Sequence, residues 1–154
     1  MDWITEGLGL GSWYDCQDHA YLQEQGVESI LQLYGPDPCP DGFPFARASL
    51  QLNVVDARPL PTLVLQAGVA FIREQRRQGR NVLVACAAGM SRSPSFLAAY
   101  LHEEGMDLAE AYLAIRARRS IIPHPKVIQS LVDHYRLPIT TQEIMVRLVR
   151  ERPR

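Results

Sequence analysis

A cysteine and an arginine enclose a short run of small and flexible residues near the middle of the chain. Apolar Val82–Ala85 precedes Cys86, and Arg92 is followed by Ser93 and Pro94, which open a helical stretch. The residues between Cys86 and Arg92 are Ala87, Ala88, Gly89, Met90 and Ser91. In a strand–loop–helix arrangement the loop amides and the positive end of the helix converge on an anion. Arg92 adds a planar pair of donors for two phosphate oxygens, and the same field favours Cys86 as a thiolate, the nucleophilic form.

The spacing of Cys86 and Arg92 is not specific by itself. The alternative is a buried structural cysteine in a turn between a strand and a helix. Such a turn does not require a cation at the helix entrance, where the helix dipole disfavours positive charge unless an anion binds. The context therefore favours a phosphate-binding loop in which Cys86 attacks phosphorus and the amides of residues 87–92 bind the oxygens.

The segment Ala85–Ser93 resembles the signature loop of the protein tyrosine phosphatase superfamily, specifically its small dual-specificity branch. The resemblance runs from about Leu8 to Tyr135. Supporting pieces occur in the family's order: Gly9-Leu10-Gly11-Ser12, Gly26-Val27, Asp56 and Pro123-His124-Pro125. It implies a cysteine-based phosphatase fold and the hydrolysis of phosphotyrosine, with phosphoserine and phosphothreonine as further candidate substrates.

The resemblance also implies roles for individual residues. Asp56, on a loop after a strand and about thirty residues before the nucleophile, is the expected general acid. Asp37 and Asp41, in a proline-rich loop, are the reserve candidates. Ser93 is expected to bond the nucleophile sulfur and ease breakdown of the phosphoenzyme, and its hydroxyl is also predicted to cap the following helix.

Two positions depart from the family pattern. Ala85 stands where the family usually has a histidine that orders the loop and helps set the thiol pKa, so the degree of thiolate activation is open. His124 stands where an asparagine commonly braces the loop; the alternative is a histidine in a surface turn. Arg118 aligns with a family arginine that supports the loop region, and Arg119 is a candidate for facing the substrate. A solvated helix face is the alternative for the cluster of Arg116, Arg118 and Arg119.

Composition limits the other classes of function. The chain has 154 residues, which fits one domain, and a net charge of −1, which gives no general attraction to nucleic acid or to anionic membranes. No signal peptide or apolar membrane span is recognisable. Three cysteines without metal-ligand spacing suggest a reducing compartment, by default the cytoplasm. No cofactor or metal is expected, because loop amides and Arg92 supply the positive field. The expected partner is a phosphorylated protein or peptide.

Periodicity predicts strands that alternate with helices in the first half and a helix-rich C-terminal half. Strands are expected at residues 4–11 (one strand or a hairpin), 27–33, 47–55 and 81–85, the last of them buried mid-sheet. Helices are expected at residues 18–25, 62–78, 93–104, 107–118, 126–136 and 140–150, with Asp107 and either Thr140 or Thr141 as N-caps. The pattern indicates an α/β fold with a mostly parallel sheet of about four or five strands flanked by helices, and the active loop at the strands' carboxyl ends.

The last segment is the least constrained by the resemblance. Residues 1–137 are predicted to form the catalytic domain, and residues 138–154 a C-terminal helical extension of it. Ile144, Met145, Leu148 and Val149 make an apolar stripe that must be covered. The stripe either folds back on its own domain, which is favoured, or mediates self-association.

Three alternatives to a dual-specificity phosphatase stay open or are disfavoured. A catalytically weak or inactive phosphate-binding adaptor would keep the same loop and is told apart only by turnover. A low-molecular-weight phosphatase or arsenate reductase carries its loop near the N-terminus, whereas about eighty residues precede it here. A rhodanese-like sulfur carrier gives no reason for Ser91 to Pro94.

Overall fold

The computed structural model describes residues 1–35 and 42–151. The reserve acids Asp37 and Asp41, together with Cys39, lie outside the described residues. Five strands form one sheet: β1 (Asp2–Thr5), β2 (Leu8–Ser12), β3 (Ser29–Gln32), β4 (Ala48–Gln51) and β5 (Val82–Cys86). The spatial order is β1-β2-β5-β3-β4, with β1 antiparallel to β2 and the other neighbours parallel. The predicted mostly parallel sheet and the central position of the strand before Cys86 are confirmed, and of the two alternatives for residues 4–11 the structure shows the hairpin.

Seven helices accompany the sheet in the described ranges. They are α1 (Trp13–Gln17), α2 (His19–Glu24), α3 (Thr62–Arg77), α4 (Arg92–Glu103), α5 (Leu108–Arg116), α6 (Pro125–His134) and α7 (Thr141–Arg150). Four of them follow β5, as the helix-rich second half predicted. The side chain of Asp107 accepts from the amide of Glu110 (3.2 Å), and Thr140 forms a capping box with Glu143, so both predicted caps are confirmed.

The short helix α1 is missing from the sequence prediction. Five residues are too few for a helical stripe to show in the pattern. Its only local signal is Ser12 followed by Asp15, whose carboxylate accepts from both the amide and the hydroxyl of Ser12 at 2.8 and 3.2 Å. This capping box starts the helix where β2 ends.

Alternation along β5 places Cys86 on one face of the sheet and Ala85 on the other. Val82, Val84 and Cys86 belong to the main core, which lies under the long helices. Leu83 and Ala85 belong to a second core with residues of α1, α2 and β3. The nucleophile therefore points toward α4, and the position where the family has histidine points away from it.

The C-terminal helix contributes two residues to the main core. Ile144 is fully buried and Leu148 is 9% exposed, whereas Val149 is 70% exposed. Met145 is half-buried. No helix within the described ranges is long and apolar enough to cross a membrane.

Candidate active site

Cys86 is the last residue of β5, so its side chain lies at the carboxyl edge of the sheet. Its Sγ lies 3.2 Å from the Ser93 hydroxyl, and it accepts a hydrogen bond from the Gly89 amide at 3.2 Å. Burial by itself raises the pKa of the thiol. The Ser93 hydroxyl and amide, the charge of Arg92 and the Gly89 amide outweigh that effect, and the net pKa of Cys86 is lowered. Cys86 is thereby suited to act as a thiolate nucleophile.

The carbonyl groups of the phosphate loop (residues 86–92) accept hydrogen bonds from residues outside the loop, and these bonds hold the loop in place. Each carbonyl from residue 87 to residue 91 accepts a hydrogen bond from a donor outside the curve of the loop. The pairs are Ala87 with the Trp13 amide (3.0 Å), Ala88 with Arg119 Nη2 (3.2 Å), Gly89 with Arg119 Nε (2.9 Å), Met90 with the Ile122 amide (2.8 Å) and Ser91 with the Ser95 amide and hydroxyl (3.2 and 2.8 Å).

This arrangement orients the loop's amides. In a trans peptide the N–H points opposite to the C=O. Carbonyls held outward therefore turn the amides of residues 88–92 inward, toward the space beside Cys86. The amide of Gly89 illustrates this, because it is the one that donates to the Cys86 sulfur. Inward amides fixed before the ligand arrives form an anion site that needs no reorganisation.

Gly89 is the one loop position where a side chain has no room. Its φ is +69°, which favours glycine. A Cβ built there would lie 2.7 Å from the backbone oxygen of Gly11 and 2.5 Å from Arg119 Nη2. The loop can pack against β2 because residue 89 has no side chain.

Arg92 is buried, at 7% exposure, and is anchored by backbone carbonyls in the segments that follow β3 and β4. Its Nη1 donates to the carbonyls of Leu33 (3.2 Å) and Val54 (2.8 Å). Its Nε is buried and has no hydrogen-bond acceptor within residues 1–35 and 42–151. Asp56 Oδ1 lies 3.6 Å from that nitrogen, within range for ionic attraction but too far for a hydrogen bond. A buried cationic donor in this position is suited to a phosphate oxygen.

Asp56 lies beside this site on an exposed loop. Its side chain is 61% exposed, and its Oδ1 accepts from the amide of Ala57 at 2.9 Å. The ion pair with Arg92 brings the carboxylate to the same place as the phosphate loop. The position suits a proton donor to a leaving oxygen.

The structure corrects the predicted capping role of Ser93. Helix α4 begins at Arg92, with Ser91 at the N-cap position and no side-chain cap. Ser93 is fully buried and its hydroxyl lies against the Cys86 sulfur instead of capping the helix. The other part of the prediction, contact with the nucleophile, agrees with the geometry.

The roles predicted for Arg118 and Arg119 are wrong. Arg118 lines a cleft with Trp3 and Gln25, away from the phosphate loop. Arg119 does not face the substrate but supports the loop through Nε and Nη2. Its remaining nitrogen, Nη1, donates to Asp2 Oδ2 at 2.7 Å. Arg116 donates to the carbonyl of Glu151 at 3.2 Å, on the surface.

His124 braces the loop through its backbone and not through its imidazole. Its amide donates to the Ser91 hydroxyl at 3.0 Å, two residues after the amide of Ile122 binds Met90. The imidazole Nδ1 accepts from the Lys126 amide (3.2 Å) and caps α6. The imidazole of His124 thus caps α6, whereas the backbone of the segment around His124 binds the phosphate loop.

Sequence reasoning missed several supports of the site. The amides of Trp13 and Ile122 are backbone donors, which no side chain in the sequence reveals. Ser95 and Tyr112 form a buried relay, in which the Tyr112 hydroxyl donates to Ser95 Oγ (2.8 Å) and Ser95 Oγ donates to the Ser91 carbonyl. Burial raises the pKa of Tyr112, so that it remains a neutral donor. The signals in the sequence for this relay are a serine within the apolar part of α4 and a tyrosine on the apolar side of α5.

Comparison with known proteins identifies the family. The model of the dual specificity phosphatase catalytic domain matches residues 10–137. This chain belongs to the dual specificity phosphatase family. Dual specificity protein phosphatase 1 of Arabidopsis thaliana is 33% identical over 135 residues, covering 84% of this chain and 66% of the relative. Dual specificity protein phosphatase 15 of Mus musculus is 31% identical over 137 residues, covering 86% and 57%. The chain therefore spans less than two thirds of either relative.

Solved structures share the fold. Human DUSP28 has a TM-score of 0.79 at 25% identity, covering 88% of this chain and 96% of that one. The human tyrosine phosphatase-like serine/threonine/tyrosine-interacting protein has a TM-score of 0.75 at 26% identity, covering 88% and 95%. The fold is that of the cysteine-based phosphatases. Within the described ranges, no group of three or more His, Cys, Asp or Glu side chains is placed to hold a metal ion.

Proposed function

We propose that this protein hydrolyses phosphotyrosine, and phosphoserine or phosphothreonine, in protein substrates through a cysteinyl-phosphate intermediate. The observation that carries the proposal is the placement of the Cys86 sulfur, 3.2 Å from both the Ser93 hydroxyl and the Gly89 amide, in a loop whose outward carbonyls turn its amides inward. Family membership supports the protein phosphatase class.

In the first step, the Cys86 thiolate attacks phosphorus in line with the leaving oxygen. The amides of residues 88–92 and the guanidinium of Arg92 bind the equatorial oxygens, where charge is spread in the transition state. Asp56 gives its proton to the departing alkoxide or phenoxide oxygen. The P–O bond to the substrate breaks as the S–P bond forms.

In the second step, water attacks the phosphorus of the cysteinyl-phosphate, and Asp56, now a carboxylate, takes its proton. The S–P bond breaks and the sulfur leaves as a thiolate. The Ser93 hydroxyl, 3.2 Å from the sulfur, is placed to stabilise that leaving thiolate by donating a hydrogen bond. Inorganic phosphate then leaves the loop.

The geometry gives no specific support to the adaptor alternative. An adaptor needs only the anion-binding amides and Arg92. Here the nucleophile, a sulfur-bonded hydroxyl and a nearby carboxylate are also brought together. Their combination favours turnover over binding alone.

The partners and the compartment follow from the same chemistry. We propose phosphorylated proteins or peptides as substrates, with neither nucleic acid nor membrane as a partner, since the net charge of −1 provides no general electrostatic attraction to either. A reducing compartment such as the cytoplasm would keep the Cys86 thiolate active.

The test is steady-state hydrolysis of para-nitrophenyl phosphate, a phosphotyrosine peptide and a phosphothreonine peptide by the wild-type chain and by Cys86→Ser. The variant should lose turnover yet bind inorganic phosphate, because the amides and Arg92 remain. The buried Cys16→Ser variant is the matched control and should keep turnover. Retention of more than a few per cent of activity by Cys86→Ser, or no hydrolysis by the wild type, would overturn the proposal.

A further inference from the structure

We propose that an aromatic pair, Trp13 and Tyr14, binds a large apolar side chain that neighbours the phosphorylated residue of a protein substrate. The proposal rests on the function proposed above, because it assumes that a phosphorylated residue enters the phosphate loop. It adds a second point of recognition, since a loop that binds the phosphoryl group does not by itself distinguish one substrate sequence from another.

Exposed apolar side chains are concentrated around the phosphate loop. Trp13 and Ile122 donate their amides to loop carbonyls, and Val55 follows the residue whose carbonyl accepts from Arg92. A surface on which several apolar groups are exposed together marks an interaction site, whereas scattered ones do not. Of the eight large hydrophobic side chains that are exposed within the described ranges, four lie in these segments: Trp13, Tyr14, Val55 and Ile122.

The aromatic pair lies directly beside the strand that carries the nucleophile. Ser12, the residue before the pair, is the neighbour of Cys86 in the parallel register of β2 and β5, and the Trp13 amide donates to the Ala87 carbonyl at 3.0 Å. Ala87 and Ala88 are exposed and small, so they do not hold a substrate away from this part of the surface. A peptide that places its phosphoryl group in the loop therefore passes close to the aromatic pair.

The aromatic pair is held in a fixed arrangement. Its two rings meet edge to face, with centroids 5.0 Å apart and an interplanar angle of 81°, a favourable geometry for aromatic contact. Helix α1, which carries the pair, starts at the capping box of Ser12 and Asp15 and buries Cys16 completely. Tyr14 is nevertheless 76% exposed, and Trp13 36%. Rings that are already held in place lose little conformational entropy on binding, so they are suited to contact a substrate.

The charges near the aromatic pair favour an apolar side chain over an acidic one. Helix α1 has no lysine or arginine, and the only cation of the phosphate loop, Arg92, is buried. Arg119, on the outer side of the loop, is engaged by Asp2 and by two loop carbonyls. An acidic neighbour of the phosphorylated residue thus finds no exposed cation in α1 or the loop, whereas an apolar neighbour leaves water by packing on the rings.

The test measures kcat/KM for phosphotyrosine peptides in which leucine, alanine or aspartate occupies, in turn, each position close to the phosphotyrosine on either side. In the wild type, leucine should raise kcat/KM over alanine by roughly 3–10-fold at one or more positions, as expected when about half of a leucine side chain leaves water. Aspartate at those positions should give no gain over alanine.

Tyr14→Ala should bring the ratio of kcat/KM for the leucine peptide to that for the alanine peptide close to one, because it removes the exposed ring. Tyr14→Phe keeps the ring and should keep the ratio. Met106→Ala is the control and should also keep it, since Met106 is an exposed apolar side chain beyond the end of α4 that lies away from the phosphate loop. The ratio separates recognition of the neighbouring residue from a general loss of activity or folding.

Equal kcat/KM for the three peptides in the wild type would overturn the proposal, as would a preference for aspartate. It would also fail if Tyr14→Ala kept the leucine preference, or if Tyr14→Phe or Met106→Ala lost it. Calorimetric binding of the same peptides to Cys86→Ser, with and without Tyr14→Ala, does not depend on turnover. If the wild-type chain hydrolyses nothing, the proposed function fails while these affinities still decide the role of the aromatic pair.

Discussion

The phosphate loop and the Asp56 loop (residues 55–59) contribute to the same site, but the protein holds them differently. Every carbonyl from residue 87 to residue 91 is bonded from outside, and Arg92 is 7% exposed. In the Asp56 loop, all five residues are exposed, with Val55 61% accessible. At the site, this loop makes the hydrogen bond from the Ala57 amide to Asp56 and the ion pair between Asp56 and Arg92. The phosphate loop is thus held by many hydrogen bonds, whereas the Asp56 loop is exposed and held by few contacts.

The Asp56 loop is nevertheless anchored at both ends. Val54 is 4% exposed and its carbonyl accepts from Arg92 at 2.8 Å. Leu60 is 7% exposed and its amide donates to the Ser130 hydroxyl at 2.8 Å. Between these points Ala57 has a φ of +55°, a conformation that costs a non-glycine residue roughly 1–2 kcal/mol. Strain of this kind is found at functional loops, where the surrounding structure imposes it.

The contrast matches two chemical demands. Oxyanion stabilisation depends on donors that need not move when charge develops, which favours a rigid, fully bonded loop. A general acid must reach the leaving oxygen of substrates of different size, which favours an exposed carboxylate. The comparison therefore predicts that binding and proton transfer can be damaged separately.

The largest expected separation comes from Asp56→Asn. We expect kcat for a phosphopeptide to fall by roughly 10²–10⁴-fold, the usual contribution of general acid catalysis. An activated aryl phosphate should lose less, because its leaving group needs no proton. The basic limb of the pH–rate profile should disappear, and the Kd for inorganic phosphate should stay within about twofold, given an ion pair longer than a hydrogen bond.

The control for that experiment is Asp133→Asn, an exposed carboxylate on α6 that accepts a hydrogen bond from the Gln129 side chain. It should leave the rate and the pH profile unchanged. An unchanged pH profile in Asp56→Asn would shift the acid role to Asp37 or Asp41. A large loss of phosphate affinity in Asp56→Asn would show that the two loops do not act separately.

Arg92→Lys tests the contribution of Arg92 to phosphate binding at the phosphate loop. A lysine cannot keep the contacts with the Leu33 and Val54 carbonyls and still offer two donors to phosphate. We expect kcat/KM to fall by roughly 10²–10³-fold, the cost of one lost oxyanion donor, with a parallel loss of phosphate affinity. Lys126→Arg, on the surface of α6, is the matched exchange of cations and should have no effect. A loss in kcat alone, with phosphate affinity intact, would contradict the assignment of Arg92 to binding.

Much of the phosphate-binding site can be predicted from the sequence, and particular residues show which parts cannot. The order of Cys86, Gly89 and Arg92 after an apolar strand defines the loop, and the unbroken apolar run of β5 predicts its central position in the sheet. The choice between Arg118 and Arg119 does not follow, because α5 ends at Arg116 and helical periodicity no longer sets which side chain faces the loop. Backbone donors such as the Trp13 amide leave no trace in the residue types.

Ala85 shows a second limit. Because Ala85 stands where the family usually has a histidine, we predict that Cys86 has a higher pKa than it does in family members that keep the histidine. The alternation of β5 directs Ala85 into the second core, fully buried beside Tyr34 and Phe43. The pKa of Cys86 is nonetheless lowered, by Ser93, Arg92 and the Gly89 amide against the effect of burial.

Ser93→Ala tests that explanation and is expected to have a smaller effect than Arg92→Lys. Removing the hydroxyl 3.2 Å from the sulfur should raise the pKa of Cys86, because the thiolate loses a hydrogen-bond donor. A higher thiol pKa means less thiolate at a given pH, so the acidic limb of kcat/KM should move to higher pH. Iodoacetate alkylation followed against pH measures this shift directly. Ser120→Ala, an exposed serine, should titrate as the wild type, and a Ser93→Ala thiol that also does so would assign the pKa to the loop amides and Arg92 alone.

The smallest effect on activity, and a large one on stability, is expected in α7. We propose that residues 138–154 are an integral extension of the catalytic domain, because Ile144 is fully buried in the main core. Ile144→Ala should lower the free energy of unfolding by about 2–5 kcal/mol, the range for large-to-small core substitutions. Val149→Ala, 70% exposed on the same helix, should stay within about 0.5 kcal/mol. Urea denaturation at two protein concentrations separates packing within one chain from self-association, since only a dimer gains stability with concentration. Both variants should keep kcat/KM on para-nitrophenyl phosphate within about twofold of the wild type, because neither residue contacts the phosphate loop. Two results would instead assign the apolar stripe to an interface between chains: equal losses of stability in the two variants, or a urea midpoint that rises with protein concentration in the wild type but not in Val149→Ala.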